Sequence, residues 1–161
     1  MIYFIFRRSD GSSYENFVSS ITGTYVHVDL VIDNIAYTAY VNETFSENNP
    51  NFENPLCKTL GLEIPQPEED KVKEWLKQQV EAKTPYNYSD LYSCVMPFNI
   101  LRDTSHDKIK TLFCSQACII ALRMAVEENT ELKTALSKVN SRSCTPNAFY
   151  KIIEPFCIEY K

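Results

Sequence analysis

Cys114 stands at the head of an apolar run, Leu112-Phe113-Cys114-Ser115-Gln116-Ala117-Cys118-Ile119-Ile120-Ala121-Leu122-Arg123, in a chain with only two histidines. A helix beginning at Cys114 would set the thiol against the positive end of the helix dipole and the unpaired first-turn N–H groups. Both favour the thiolate, which is the nucleophilic form. A general base stands far upstream, at His27 in Tyr25-Val26-His27-Val28-Asp29-Leu30-Val31-Ile32. A cysteine activated by a histidine on a rigid element is the arrangement of nucleophilic acyl chemistry. His106 sits in the polar segment Asp103-Thr104-Ser105-His106-Asp107 and is expected on the surface.

A catalytic histidine needs a polar group to orient its second nitrogen. Strand alternation puts His27, Asp29 and Val31 on one face. Thr38 and Asn42 are the polar candidates on the returning strand, Asp29 is a neighbour on the histidine's own strand, and Thr38 is the preferred orienter. A backbone carbonyl or a water would also serve. The tyrosine of Thr84-Pro85-Tyr86-Asn87-Tyr88 can stabilise a developing oxyanion beside the Cys114 N–H. Cys118, one helical turn beyond Cys114 among Ile119, Ile120 and Leu122, reads as core. As a metal pair the two cysteines would need a second pair or a nearby histidine, so no metal is expected.

The elements that must position these residues follow from periodicity and turn chemistry. Strands are predicted over residues 2–7, 24–32, 35–41, 57–64 and 156–160, with a two-residue hairpin turn at Asp33-Asn34. Helices are predicted from Ser12 or Ser13 to about residue 21, over 67–83, from Tyr88 to about 95, over 114–127, over 130–139 and over 145–153. Residues 42–55 read as a long loop beside the site, and 102–110 as a second loop. Early strands and a helix-rich second half give an α+β class in a single domain spanning 1–161.

Composition narrows the function. The chain has 161 residues, 44% apolar, with ten Tyr, nine Phe and three Gly. Neither a dinucleotide nor a P-loop glycine pattern is present, so no cofactor of that kind is expected. A net charge of −5 without a basic run argues against a nucleic-acid surface. Met1-Ile2-Tyr3-Phe4-Ile5-Phe6 is too short to span a bilayer and lacks the features of a signal peptide. No transmembrane segment is expected, and the expected compartment is intracellular and reducing. There the six cysteines would be free thiols.

The order of a strand-borne histidine, a Pro-Tyr-Asn-Tyr turn at Pro85-Tyr86-Asn87-Tyr88, and Phe113-Cys114-Ser115-Gln116 heading an apolar helix resembles the circularly permuted NlpC-type papain-like hydrolases. The closing Cys144-Thr145-Pro146-Asn147-Ala148-Phe149-Tyr150 is similar to their C-terminal helix start. That group includes amidase-like bacterial proteins, lecithin–retinol acyltransferase-like enzymes and proteins of large DNA viruses. The resemblance spans residues 25–150. It implies a permuted papain-like fold, an antiparallel sheet packed against the cysteine-bearing helix, with Cys114 as nucleophile, His27 as base and Tyr86 as the tyrosine that precedes the cysteine. Ser115 and Gln116, within the same motif, join Tyr86 as expected oxyanion or substrate contacts. The family's third polar residue is commonly His, Glu or another strong acceptor; Thr38, in its place, carries no charge. The expected activity is hydrolysis of a peptide, amide or lipid-ester bond through a thioacyl enzyme. The alternatives are acyl transfer to a lipid or amine, and an inactive binding or virion-associated module in a host cytoplasm or particle.

Overall fold

The computed structural model describes residues 1–88, 110–127 and 129–160. The predicted helix beyond Tyr88, the 102–110 loop up to residue 109, Cys94 and His106 lie outside them. The architecture is α+β, with one six-stranded antiparallel sheet and helices. The strands are β1 (Ile2–Arg8), β2 (Tyr25–Ile32), β3 (Ile35–Thr38), β4 (Ser46–Asn48), β5 (Cys57–Leu62) and β6 (Ile158–Tyr160), in the order β4-β3-β2-β1-β5-β6. The helices are α1 (Ser13–Thr22), α2 (Gln66–Glu81), α3 (Cys114–Ala125), α4 (Thr130–Ser137) and α5 (Pro146–Ile153).

The local signals act where they stand in the sequence. Asp33 and Asn34 take φ of 51° and 61°, the left-handed pair of a tight hairpin turn joining β2 to β3. Ser12 accepts from the Glu15 N–H at 3.3 Å and caps α1, and Thr145 accepts from the Ala148 N–H at 3.1 Å and caps α5. Gly23 ends α1 at φ 102°, and a Cβ there would fall 2.5 Å from the Asn147 side chain. Glycine therefore lets α1 close onto the head of α5.

One expected loop holds a strand. Within residues 42–55, Ser46–Asn48 pairs with β3 through Tyr37↔Glu47 and its neighbours. A Ser-Glu-Asn stretch has no strand propensity of its own, and its geometry comes from pairing with the open β3 edge. The returning hairpin arm is also shorter than expected, ending at Thr38 instead of residue 41.

The two sheet faces differ. Ile2, Phe4, Phe6, Val28, Leu30 and Ile32 share a core with Val72 and Leu76 of α2, Ile119 and Leu122 of α3 and Phe149 of α5. Helix α3 is buried along nearly its whole length, as a central helix must be when its residues are apolar on every side. Each fully buried Phe, Leu or Ile here contributes roughly 1.5–3 kcal/mol. On the opposite face the register sets Cys57, Arg7 and His27 in one cross-strand row and Thr59, Ile5 and Asp29 in the next. Continuing the β2–β3 register from Leu30↔Tyr37 places Thr38 opposite Asp29 and Tyr40 opposite His27. At the end of this ladder the register shifts between Arg7↔His27 and Arg8↔Tyr25, so Val26 is a bulged extra residue beside His27.

Candidate active site

The cross-strand rows bring a hydrogen-bond network onto His27. Its Nε2 lies 2.7 Å from Asp29 Oδ1 and 2.9 Å from Thr38 Oγ1. The Thr38 hydroxyl also lies within reach of the Asp29 carboxylate and of the Tyr40 hydroxyl. One proton assignment satisfies all of these contacts: Nε2–H is shared by Asp29 and Thr38, Thr38 donates to Asp29, and Tyr40 donates to Thr38. The Tyr40 ring stacks on the imidazole, with centroids 4.4 Å apart and planes 9° from parallel.

Cys114 lines the same cleft as His27, and the two groups are coupled electrostatically. No side chain of the N-cap residue Phe113 bonds the first turn of α3. The Ser115 N–H therefore remains available to the Cys114 sulfur, and the Val28 N–H supplies a second backbone donor. The β2–β3 ladder runs from Ile32–Ile35 to Leu30–Tyr37. Val28 lies past its end, which leaves its N–H directed toward the thiol. The helix dipole and these donors act in the same direction on the thiolate.

The electrostatics of the pair are reciprocal. Burial works against a charged imidazole, but the Asp29 carboxylate and the Cys114 thiolate outweigh it and hold the His27 pKa well above its ordinary value. Burial likewise works against a thiolate, but His27 and the two backbone donors bring the Cys114 pKa below its ordinary value. The Asp29 pKa is lowered, the cost of burial being outweighed by His27 and the Thr38 hydroxyl. The site therefore favours a thiolate–imidazolium pair backed by a carboxylate.

Above the pair lies a cleft of about 280 Å³, lined by Val26, Ala39, Tyr40, Val41 and Tyr86 together with Arg7, Glu15, Val18 and Glu43. Segment 40–45 and the turn at 84–88 are joined along one wall. Asn42 donates its N–H to the Tyr88 hydroxyl at 2.7 Å, that hydroxyl donates to Asn42 Oδ1 at 2.6 Å, and Phe45 N–H donates to Thr84 O at 2.8 Å.

The sequence-derived candidates divide. Cys114, His27 and Thr38 are brought together, and Tyr86 lines the cleft. Asn42, considered as an orienter, is engaged with Tyr88 instead. Asp29, ranked behind Thr38, shares Nε2 with it. The side chains of Ser115 and Gln116 do not line the cleft. Ser115 is fully buried and its hydroxyl donates to the Cys144 carbonyl at 2.6 Å. Gln116 Oε1 accepts from the Phe113 N–H at 3.4 Å and from Asn87 Nδ2 at 3.3 Å. A helix turns its side chains by about 100° per residue, so positions after the nucleophile point away from the surface that Cys114 faces.

Two site residues were not anticipated. Arg7 enters from β1 in the His27 row, and its Nη2 pairs with Glu15 Oε1 at 2.7 Å. Tyr40 lies beyond the end of β3, where alternation alone does not fix its direction. The Cys118 thiol is buried and pushed well above its ordinary pKa. The five described cysteines are free, and among the described residues no cluster of three or more His, Cys, Asp or Glu is arranged to hold a metal ion. No helix among them is long and apolar enough to cross a membrane. Comparison with protein-family models, with curated proteins and with solved structures finds no match to this chain.

Proposed function

We propose that the protein is a cysteine hydrolase of permuted papain-like fold that cleaves an amide, peptide or ester bond through a thioacyl enzyme. The observation that carries this reading is the convergence on one imidazole of a thiol at a helix start, a carboxylate and a hydroxyl, beneath a cleft. With Nε2 held by Asp29 and Thr38, Nδ1 is the nitrogen left to exchange a proton with the thiol.

The Cys114 thiolate attacks the carbonyl carbon, and the carbon–oxygen π pair moves onto oxygen. The Cys114 backbone N–H and the Tyr86 hydroxyl stabilise that oxyanion. The His27 imidazolium gives its proton to the leaving amine or alcohol, and the thioester forms as the C–N or C–O bond breaks. Neutral His27 then takes a proton from water, whose oxygen attacks the thioester carbonyl; the C–S bond breaks, the acid leaves, and the Cys114 thiolate and His27 imidazolium are restored. An amine or lipid hydroxyl in place of water turns the second half into acyl transfer. Asp29 stabilises the imidazolium and keeps a proton on Nε2 throughout.

The test is alkylation of Cys114 by iodoacetamide, followed by mass spectrometry across pH. The expected result is rapid labelling well below pH 7, abolished in Cys114→Ala and slowed in His27→Ala. Labelling only near pH 8.5, as for an ordinary thiol, would sink the catalytic reading and leave a non-catalytic binding module.

A further inference from the structure

The cleft is electrically asymmetric along the sheet. The strand order β3-β2-β1 puts His27 in the middle, the segment after β3 with Glu43 on one side, and Arg7 of β1 on the other. Arg7 is the cross-strand partner of His27, so both side chains rise from the same row on the same face. Glu43 is exposed on the opposite wall.

Arg7 is only partly used by the protein. A guanidinium carries five N–H donors, and among the described residues its single ion-pair contact is Nη2 to Glu15. Glu15 Oε2 in turn accepts from the Asp10 N–H at 2.8 Å, so both oxygens of the carboxylate are engaged. The pair is a fixed mount: Glu15 holds the guanidinium at the wall of the cleft that Cys114 also lines. Its positive charge reaches Asp29, Tyr40 and Cys57. A planar fork of donors on a rigid mount is the geometry that recognises carboxylates.

Resting on the hydrolase reading above, we propose that Arg7 is a specificity-determining residue that binds a free carboxylate of the substrate close to the scissile carbonyl. The substrate class is then an acidic acyl compound, such as a peptide or amide with a carboxylate near the cleaved bond. Its negative group is drawn to the Arg7 wall and kept from the opposite wall by Glu43.

The test compares two alkylating agents that differ in one charge. In both, the Cys114 thiolate forms an S–C bond as the C–I bond breaks and iodide leaves. Iodoacetate carries a carboxylate and iodoacetamide does not. The ratio of their rate constants at Cys114, followed by peptide mass spectrometry at pH 7, is the readout. We expect Arg7→Gln to lower that ratio by about tenfold or more, the scale of one charge-assisted contact. Arg7→Lys should retain most of it, and Glu15→Gln, whose amide oxygen can still accept from Nη2 while the competing negative charge is gone, should raise it. These last two variants also decide the matter if Arg7→Gln fails to fold by circular dichroism. A Cys114 that alkylates readily with the same ratio in every variant overturns the role of Arg7 and leaves the hydrolase reading standing. A Cys114 no faster than an ordinary thiol toward either reagent removes the nucleophile, and both proposals with it.

Discussion

Asp29 Oδ1 lies 2.7 Å from His27 Nε2, two positions along the same strand and on the same face of the sheet. A β-strand places alternate side chains about two residue rises apart, so a short carboxylate reaches the ring of a histidine neighbour without a second element. Thr38, opposite Asp29 on β3, closes the contact from the other side at 2.9 Å. One hairpin thus supplies imidazole, carboxylate and hydroxyl, and the helix brings the thiol to the same cleft.

The first prediction separates the two orienters. In Asp29→Asn the side-chain amide turns its N–H₂ toward Nε2 and drives the ring proton onto Nδ1, the nitrogen that must receive the thiol proton. A wrong tautomer of this kind costs on the order of 10²–10⁴ in rate. Thr38→Val removes a hydroxyl but no charge, an effect of about tenfold. Iodoacetamide labelling of Cys114 at pH 6.5 measures both. Equal losses in the two variants would show that the Asp29 charge has no special part.

The hairpin was legible in sequence, and what meets across it was only partly so. Asp33-Asn34 marks the turn, and counting outward from it sets Thr38 against Asp29, so both stood as candidates. Their convergence on one nitrogen depends on side-chain rotamers, which alternation does not specify. Arg7 could have been reached the same way, by pairing the first strand with the second, but the offset of that pairing has no turn to fix it. Strand β4 was hidden for another reason: Ser46-Glu47-Asn48 is extended because β3 offers an unpaired edge. The Ser115 and Gln116 side chains lie away from the cleft because adjacency to Cys114 in sequence is not adjacency in space on a helix.

A second prediction concerns pH. The Cys114 pKa is lowered and the His27 pKa raised, so the thiolate–imidazolium pair forms below the ordinary thiol range and persists above the ordinary imidazole range. The stability linkage has a definite sign. His27, raised in the folded state, contributes stability that is complete below its unfolded pKa of about 6.5 and is lost as pH climbs through the folded value. Cys114 contributes in the opposite sense, present above its unfolded pKa and lost as pH falls through the folded one. Removing the thiolate in Cys114→Ala takes away one of the charges that raise His27. Denaturant melts between pH 6 and 10 should show a smaller His27-linked alkaline loss, complete at lower pH, in that variant. Identical pH dependence in both proteins would contradict the ion pair.

Tyr40 carries a third prediction. Its ring covers one face of the imidazole at 4.4 Å, where an imidazolium gains from the aromatic quadrupole. Tyr40→Phe keeps the ring and loses only the hydroxyl that meets Thr38. Tyr40→Ala exposes the imidazole to water, which weakens its coupling to Cys114 and lowers the His27 pKa. The rise of the labelling profile should move to higher pH in the alanine variant and far less in the phenylalanine variant. Histidine titration followed by NMR checks the same order, and equal shifts in both would assign the effect to the hydroxyl.

Ser115 supplies the last prediction, and it runs against the residue's position next to the nucleophile. Its hydroxyl is fully buried and donates to the Cys144 carbonyl at 2.6 Å, tying the first turn of α3 to the segment before α5. Ser115→Ala removes this buried hydrogen bond, a loss of about 0.5–1.5 kcal/mol. The backbone N–H that serves the Cys114 sulfur is untouched by the substitution. Chemical denaturation should therefore report the loss, while the pH midpoint of Cys114 labelling stays where it is in the parent protein. A shifted midpoint with unchanged stability would place the hydroxyl in the chemistry and overturn its structural assignment.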